Sequence, residues 1–189
     1  MRLLRTCEIM AKGVPAIILA AGASTRLGQP KALVQWRGES LVAKSVRILS
    51  ECGCNPIVVV TRTELQVDIM LECEGAIVIV NPSPEDGRTG TLQIGIKSLI
   101  SELGRTPSRI LICPVDRCGW NEKTVRSLLT CRQNTSPQPS GHPLLLCDIE
   151  SILSLRKDAS LRDSISILKI DAPGVHLNID TPEDLEALS

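Results

Sequence analysis

Neither phenylalanine nor tyrosine occurs in the 189 residues, and two tryptophans are the whole aromatic complement. A core must then be packed with leucine, isoleucine and valine, and the aromatic platforms on which single-stranded nucleic acid stacks its bases are almost wanting. An excess of charge is wanting too: 21 basic residues balance 21 acidic ones, so no global field points to nucleic acid or to an anionic membrane surface. No apolar run approaches the ~20 residues that span a bilayer. The amino-terminal stretch, broken by Arg2, Arg5 and Glu8, lacks the apolar segment of a signal peptide. The eight cysteines include no C-x-x-C pair, and Cys52-Gly-Cys54 is too tight for a zinc knuckle, so they read as reduced, small apolar fillers of a cytoplasmic protein. Neither a G-x-G-x-x-G fingerprint nor a P-loop is present, which leaves hydride transfer and ATPase chemistry without support.

What the chain does have is a rhythm. Ala16 to Leu19, Ile57 to Val60, Ala76 to Val80 and Ile110 to Val115 are short apolar runs of the kind found in strands covered on both faces, and helical patterns separate them. That alternation predicts a three-layer α/β/α, Rossmann-like, mostly parallel sheet. The length suits one domain, expected over residues 14–189, with residues 1–13 a poorly ordered extension or, given Met10, an upstream start. Leu41, Val42, Ser45, Val46 and Leu49 form the buried face of a first helix capped by Ser40; Leu65, Ile69 and Met70 mark a short second. Leu92, Ile96, Leu99, Ile100 and Leu103 mark a third that ends by Gly104, and a fourth starting at Asn121 buries Val125, Leu128 and Leu129. The uncharged, turn-rich segment from Gln133 to Gly141 is expected to be a loop, with Pro143 to Cys147 and Ile165 to Ile170 returning as strands. Thr181, Pro182 and Asp184 are placed to begin a last helix, and His176, with no motif around it, reads as structural.

The run from Leu19 to Lys31 carries the chemistry. Leu19, Ala20 and Ala21 lead off the first strand at its carboxyl edge, where open α/β sheets bind ligands. Gly22 and Gly28 are expected to take positive φ and turn amide N–H groups toward phosphate oxygens, with Ser24 between them. Arg26 adds a planar fork and Lys31 a point charge. Together these describe a nucleoside triphosphate site. Asp116, at the end of the strand Ile110 to Val115, and Asn178 or Asp180 are candidate Mg²⁺ ligands; as a capping residue and a turn residue the two aspartates have equally ordinary readings.

The whole string Leu19 to Lys31 resembles the signature of MobA-like nucleotidyltransferases, and Ala21 with Ser24 looks more like the molybdenum cofactor cytidylyltransferase branch than the guanylyltransferase branch. Pro114-Val115-Asp116 is similar to that branch's P-V-D-x-P segment, with Cys118 in place of the second proline. Asn178 to Asp184 is similar to its carboxyl-terminal acidic motif. Asn81-Pro82, Gly87 and Gly90-Thr91-Leu92 match N-P-x-x-x-x-G-x-x-x-S-[LV] with threonine for serine, and Gly141-His142-Pro143 matches the G-H-P turn near the acceptor. The resemblance implies the nucleotide-diphospho-sugar transferase fold and nucleotide binding by Asn81, Gly87 and Thr91 besides the loop. It also implies Mg²⁺ on Asp116 with Asn178 or Asp180, and acceptor binding at Gly141 and His142. The activity implied is transfer of CMP from CTP to a phosphorylated acceptor, a molybdopterin-type cofactor, with a molybdoenzyme as a further partner. The segment Gln133 to Ser140 offers such a ring neither aromatic nor cationic neighbours. Sugar-phosphate nucleotidyl transfer, or a catalytically weakened chaperone for a molybdoenzyme, are the competing readings.

Overall fold

The computed structural model describes residues 13–172, Val175, 178–181, Glu183 and Asp184. The expected extension, apart from Gly13, lies outside those residues, as do His176, Pro182 and most of the expected last helix. In chain order the elements are β1 (Ala16–Leu19), β2 (Gln35–Trp36), β3 (Glu39–Ser40), α1 (Leu41–Glu51), β4 (Ile57–Thr61), α2 (Gln66–Glu72) and β5 (Ile77–Val80). They continue with α3 (Gly87–Leu103), β6 (Ile110–Pro114), α4 (Glu122–Leu129), β7 (Thr135–Gln138), β8 (Leu144–Leu146), α5 (Ile149–Leu153), α6 (Leu161–Ser164) and β9 (Leu168–Asp171). None of the described helices is long and apolar enough to cross a membrane.

Seven strands form one sheet in the order β5-β4-β1-β6-β8-β7-β9, with only β8 running against the rest. Because a strand's side chains alternate, each central strand feeds two cores. Ala16, Ile18, Val59, Leu111 and Cys113 pack with α1 and α4; Ile17, Val58, Val60, Ile110 and Ile112 pack with α3 and α5. From β1 the chain winds outward to β4 and β5, then returns to the other side of β1 as β6. The order therefore reverses between β1 and β6, and open sheets bind ligands above such a reversal.

Local chemistry accounts for most boundaries. Ser40 Oγ accepts from Ala43 N at 3.2 Å and caps α1, whose buried residues include the five predicted. Asn121 Oδ1 accepts from Lys123 N at 2.9 Å and Thr124 N at 3.3 Å, and opens α4. Gly104, at φ 67°, ends α3. Gly95 in mid-helix has a different reason: a Cβ there would stand 2.8 Å from Ile17 Cγ2 and 3.0 Å from Val60 Cγ2, so its absence lets α3 lie directly on β1 and β4.

Two expectations fail. Residues Thr135–Gln138 of the expected loop form β7, paired with both β8 and β9, and Thr135, Ser136 and Pro137 are buried. Local composition predicts a turn, but the neighbouring strands supply the pairing, and the hydroxyls find partners: Thr135 Oγ1 donates to Gln133 O at 2.8 Å, and Ser136 Oγ accepts from Lys169 Nζ at 2.7 Å. In α2, Ile69 is buried but Met70 is 55% exposed, because this short helix meets its neighbours along a single line.

Candidate nucleotide-binding site

Beyond β1, Ala20 N donates to Val60 O at 2.8 Å, which carries the strand geometry one residue further and delivers the buried Ala20 and Ala21 to the sheet edge. The loop then rises into solvent. Gly22 has open space around its Cβ position, and its φ is not positive; the expectation of a left-handed Gly22 is corrected. Left-handed backbone falls instead at Ser24, φ 53°, and Gly28, φ 74°. Ser24 organises the loop: its carbonyl accepts from Leu27 N at 3.1 Å and Gly28 N at 3.3 Å, and its Oγ accepts from Lys31 N at 3.1 Å. Lys31 is thereby placed at the first residue of a 3-10 turn, Lys31–Leu33, aimed back across the cleft.

The cleft holds about 320 Å³. Leu19, Ala20, Ala21, Gly22, Ser24, Arg26 and Lys31 line one side, Gly87 and Thr91 at the start of α3 another, and Asp116 and Asp180 the floor. Arg88, which sequence reasoning overlooked, lines it as well, although it directly follows Gly87 in the matched segment. Gly28 shapes the loop and Asn81 lies behind the wall; neither lines the cleft. Asn81 Nδ2 donates to Thr91 Oγ1 at 3.0 Å, Thr91 Oγ1 donates to Gly87 O at 3.1 Å, and Asn81 Oδ1 accepts from Ser83 N at 2.9 Å. These two side chains therefore stiffen the turn into α3, with their polar atoms already engaged.

Lys31 Nζ stands between two carboxylates, 3.7 Å from Asp116 Oδ2 and hydrogen-bonded to Asp180 Oδ1. That bond to Lys31 holds the Asp180 carboxyl below its usual range, with Asn178 and the charge of Arg26 adding to the effect. Asn178 Nδ2 also bonds Asp180. Asp116 receives a second cation, Arg88 Nη2 at 3.7 Å. The floor is tied together through backbone: Ile179 N donates to Asp116 O at 3.0 Å, which brings the carboxyl-terminal motif to the end of β6.

The donor set fits a hard divalent cation. Among the described residues no three His, Cys, Asp or Glu side chains converge. Mg²⁺, however, takes one or two carboxylates and fills its shell with waters and substrate phosphates. Asp116 and Asp180 already share one cationic group, and Asn178 Oδ1 is buried without a partner among the described residues, an oxygen left over at the place where a ligand is needed.

Gly141 and His142 do not line the cleft. Gly141, at φ 74°, lies against α6 and β9, where a Cβ would be 3.0 Å from Arg162 Nη2 and 3.8 Å from Lys169 Nζ. Burial pushes the His142 imidazole down to about 3, and the charges of Arg88, Arg117, Arg162 and Lys169 push in the same direction. The segment Gln133 to Ser140 carries no cation, and the charges acting on His142 come instead from α3, the loop after β6, α6 and β9.

Residues 16–173 match the MobA-like NTP transferase domain. The chain is 39% identical over 59 residues to a probable molybdenum cofactor guanylyltransferase of Opitutus terrae, a match covering 31% of this chain and 29% of that protein. It is 32% identical over 118 residues to nicotine blue oxidoreductase of Paenarthrobacter nicotinovorans, covering 61% of this chain and 55% of the relative. With the molybdenum cofactor guanylyltransferase of Xanthomonas euvesicatoria it shares 27% identity over 156 residues, covering 82% and 71%. The chain thus spans about half or less of the first two relatives. Among solved structures, Rv0371C of Mycobacterium tuberculosis in complex with manganese superposes with a TM-score of 0.72 at 15% identity, covering 94% of this chain and 98% of that one. A 4-diphosphocytidyl-2C-methyl-D-erythritol synthase does so at 0.71 and 14%, covering 94% and 97%. Those likenesses establish the fold, and the match over residues 16–173 establishes the family: the chain belongs to the MobA-like NTP transferase domain family.

Proposed function

We propose that this cleft moves a nucleotidyl group, CMP from CTP, to a phosphorylated small-molecule acceptor and releases pyrophosphate. The observation that carries the reading is Lys31, drawn across the β1–β6 reversal to a floor of two carboxylates beneath a loop of open backbone. An acceptor phosphate oxygen attacks the α-phosphorus, the bond to the β-phosphate oxygen breaks, and the leaving pyrophosphate takes the negative charge. Such a displacement needs alignment and charge neutralisation and no covalent enzyme intermediate. Arg26 and Lys31 supply fixed positive charge to the triphosphate. Asp116, Asp180 and Asn178 Oδ1 would hold Mg²⁺, which when bound would supply further positive charge against the developing charge of the phosphates. The names of the Opitutus and Xanthomonas relatives favour a molybdopterin-type acceptor and, with it, a molybdoenzyme that receives the product.

Cytosine is favoured by the Ala21 methyl, which is 6% exposed and sits at the cleft wall next to β1, where a smaller residue would leave room for a purine. One methyl discriminates by only ~1 to 3 kcal/mol, so a preference for CTP over GTP of tens to a couple of hundred-fold is expected. The guanylyltransferase names of two relatives favour the opposite choice. Incubation with Mg²⁺, each of the four NTPs and molybdopterin, followed by mass analysis, should yield a cytidine-containing dinucleotide and pyrophosphate. No pyrophosphate with any NTP, whether the acceptor is molybdopterin or a sugar 1-phosphate, removes the enzymatic reading and leaves the chaperone. Competition calorimetry settles the base: equal or tighter GTP binding removes CTP alone, and Ala21→Gly should relax the preference toward GTP.

A further inference from the structure

The positive charge beside Gly141 exceeds what a single acceptor phosphate needs. Arg88 reaches Asp116 and belongs to the reacting end, but Arg162 and Lys169 make no ion pair among the described residues. Arg162 and Lys169 nevertheless converge on one backbone position, since a Cβ at Gly141 would lie 3.0 Å from the first and 3.8 Å from the second. The β7–β9 register sets Ser136 opposite Lys169, and the Ser136 hydroxyl accepts from its ammonium at 2.7 Å, holding that cation in place. Beside them His142 Nδ1 is buried and has no partner among the described residues. Uncompensated like charges held close together repel, and an unpaired buried nitrogen forfeits a hydrogen bond. An anion with an attached polar group relieves both costs at once.

We infer that the acceptor is at least doubly anionic: a phosphate reacts near Arg88 and Asp116, while a second anionic group seats on Arg162 and Lys169 next to His142. The inference rests on the proposed nucleotidyl transfer for the identity of the reacting end. It adds that acceptor choice is made by charge at the far end rather than by stacking on a ring, which this nearly aromatic-free chain is poorly equipped to do.

Calorimetric titration with ribose 5-phosphate and ribose 1,5-bisphosphate separates the cases, run on the whole chain with and without Mg²⁺ and a non-hydrolysable CTP analogue. The bisphosphate should bind at least 10-fold more tightly than the monophosphate, and the variant carrying Arg162→Ala and Lys169→Ala should bring the two within about 2-fold. Arg162→Lys, which keeps the charge, should retain most of the preference. Equal affinity in the wild type, or a preference that survives the double substitution, overturns the inference. So does a 10-fold loss of CTP-analogue affinity in the double variant, since the cluster would then serve the triphosphate. Absence of CTP-analogue binding in the wild type would instead sink the proposed function, with the comparison of the two sugar phosphates still readable without nucleotide.

Discussion

At the residue scale the candidate site is a question of which charges meet. Lys31→Ala removes the cation shared by Asp116 and Asp180 and should cut nucleotidyl transfer by roughly 10²- to 10³-fold, as loss of one preorganised charge donor does. Pyrophosphate release measured beside circular dichroism checks it, and wild-type turnover would take Lys31 out of the chemistry. Asp116→Asn should flatten the Mg²⁺ dependence of turnover and lower its ceiling, because a neutral amide is a poor ligand for a hard cation; an unchanged metal titration would leave Asp116 a pairing partner of Lys31 and Arg88. Asp116 was legible in the sequence because it sits two positions past the end of β6, where side chains reach the ligand edge, and Lys31 because it closes the loop string that follows β1. The engagement of Thr91 with Asn81 was not legible, since hydrogen-bond partners ten residues apart meet only once β5 and α3 are packed.

At the scale of elements, the longer helices announced themselves, whereas β7 and the short β2, β3, α5 and α6 did not. The faces of α1, α3 and α4 follow from a 3.6-residue apolar period that needs no partner to be recognised. β7 has no such pattern; neighbours from later in the chain make it a strand. Gly95→Ala tests the close approach of α3 to the sheet. Alanine's better helix propensity is worth ~1 kcal/mol. The added methyl, however, would press on β-branched Ile17 and Val60, both fully buried, and overpacking of that kind costs ~1 to 3 kcal/mol. The net expectation is a lower urea midpoint, and an unchanged or higher one would show that α3 can move off the sheet at no cost. The loop after β6 lacks the second proline of its family pattern, and α1 replaces that rigidity: Lys44 Nζ donates to Cys118 O at 2.5 Å and lies 3.8 Å from the centre of the Trp36 ring. Burial lowers the Lys44 ammonium to about 8. Lys44→Met should loosen Asp116 and reduce kcat roughly 10-fold with little change in nucleotide affinity, since a small misplacement of a reacting group costs rate before it costs binding. Equal losses in both would assign Lys44 to binding.

At the scale of the whole molecule, pH exposes how much the fold imposes on single groups. His142 is held at about 3 against an ordinary value of 6.5, so the unfolded chain binds a proton there that the folded chain refuses. Stability therefore falls as pH drops from about 6.5 toward 3, whereas the lowered Asp180 and Asp184 withdraw their contribution only below the ordinary carboxylate value of 3.8. His142→Gln should flatten the dependence of the urea midpoint between pH 6.5 and 4.5 and leave the more acidic limb intact. An identical slope would mean that another group titrates there. The chain order of apolar runs, the capping residues and the phosphate-loop string determined by themselves the layered sheet and the edge at which a nucleotide would sit, because each of those signals is local and survives without partners. Which side chains face one another across that edge was decided by tertiary structure alone. Asp116 and Asp180 stand 64 positions apart in sequence, and the charges of Arg88, Arg117, Arg162 and Lys169 act on His142 from four separate stretches of the chain. Charges act through space rather than along the chain, so no spacing in the sequence records their meeting until the sheet has brought its distant strands together.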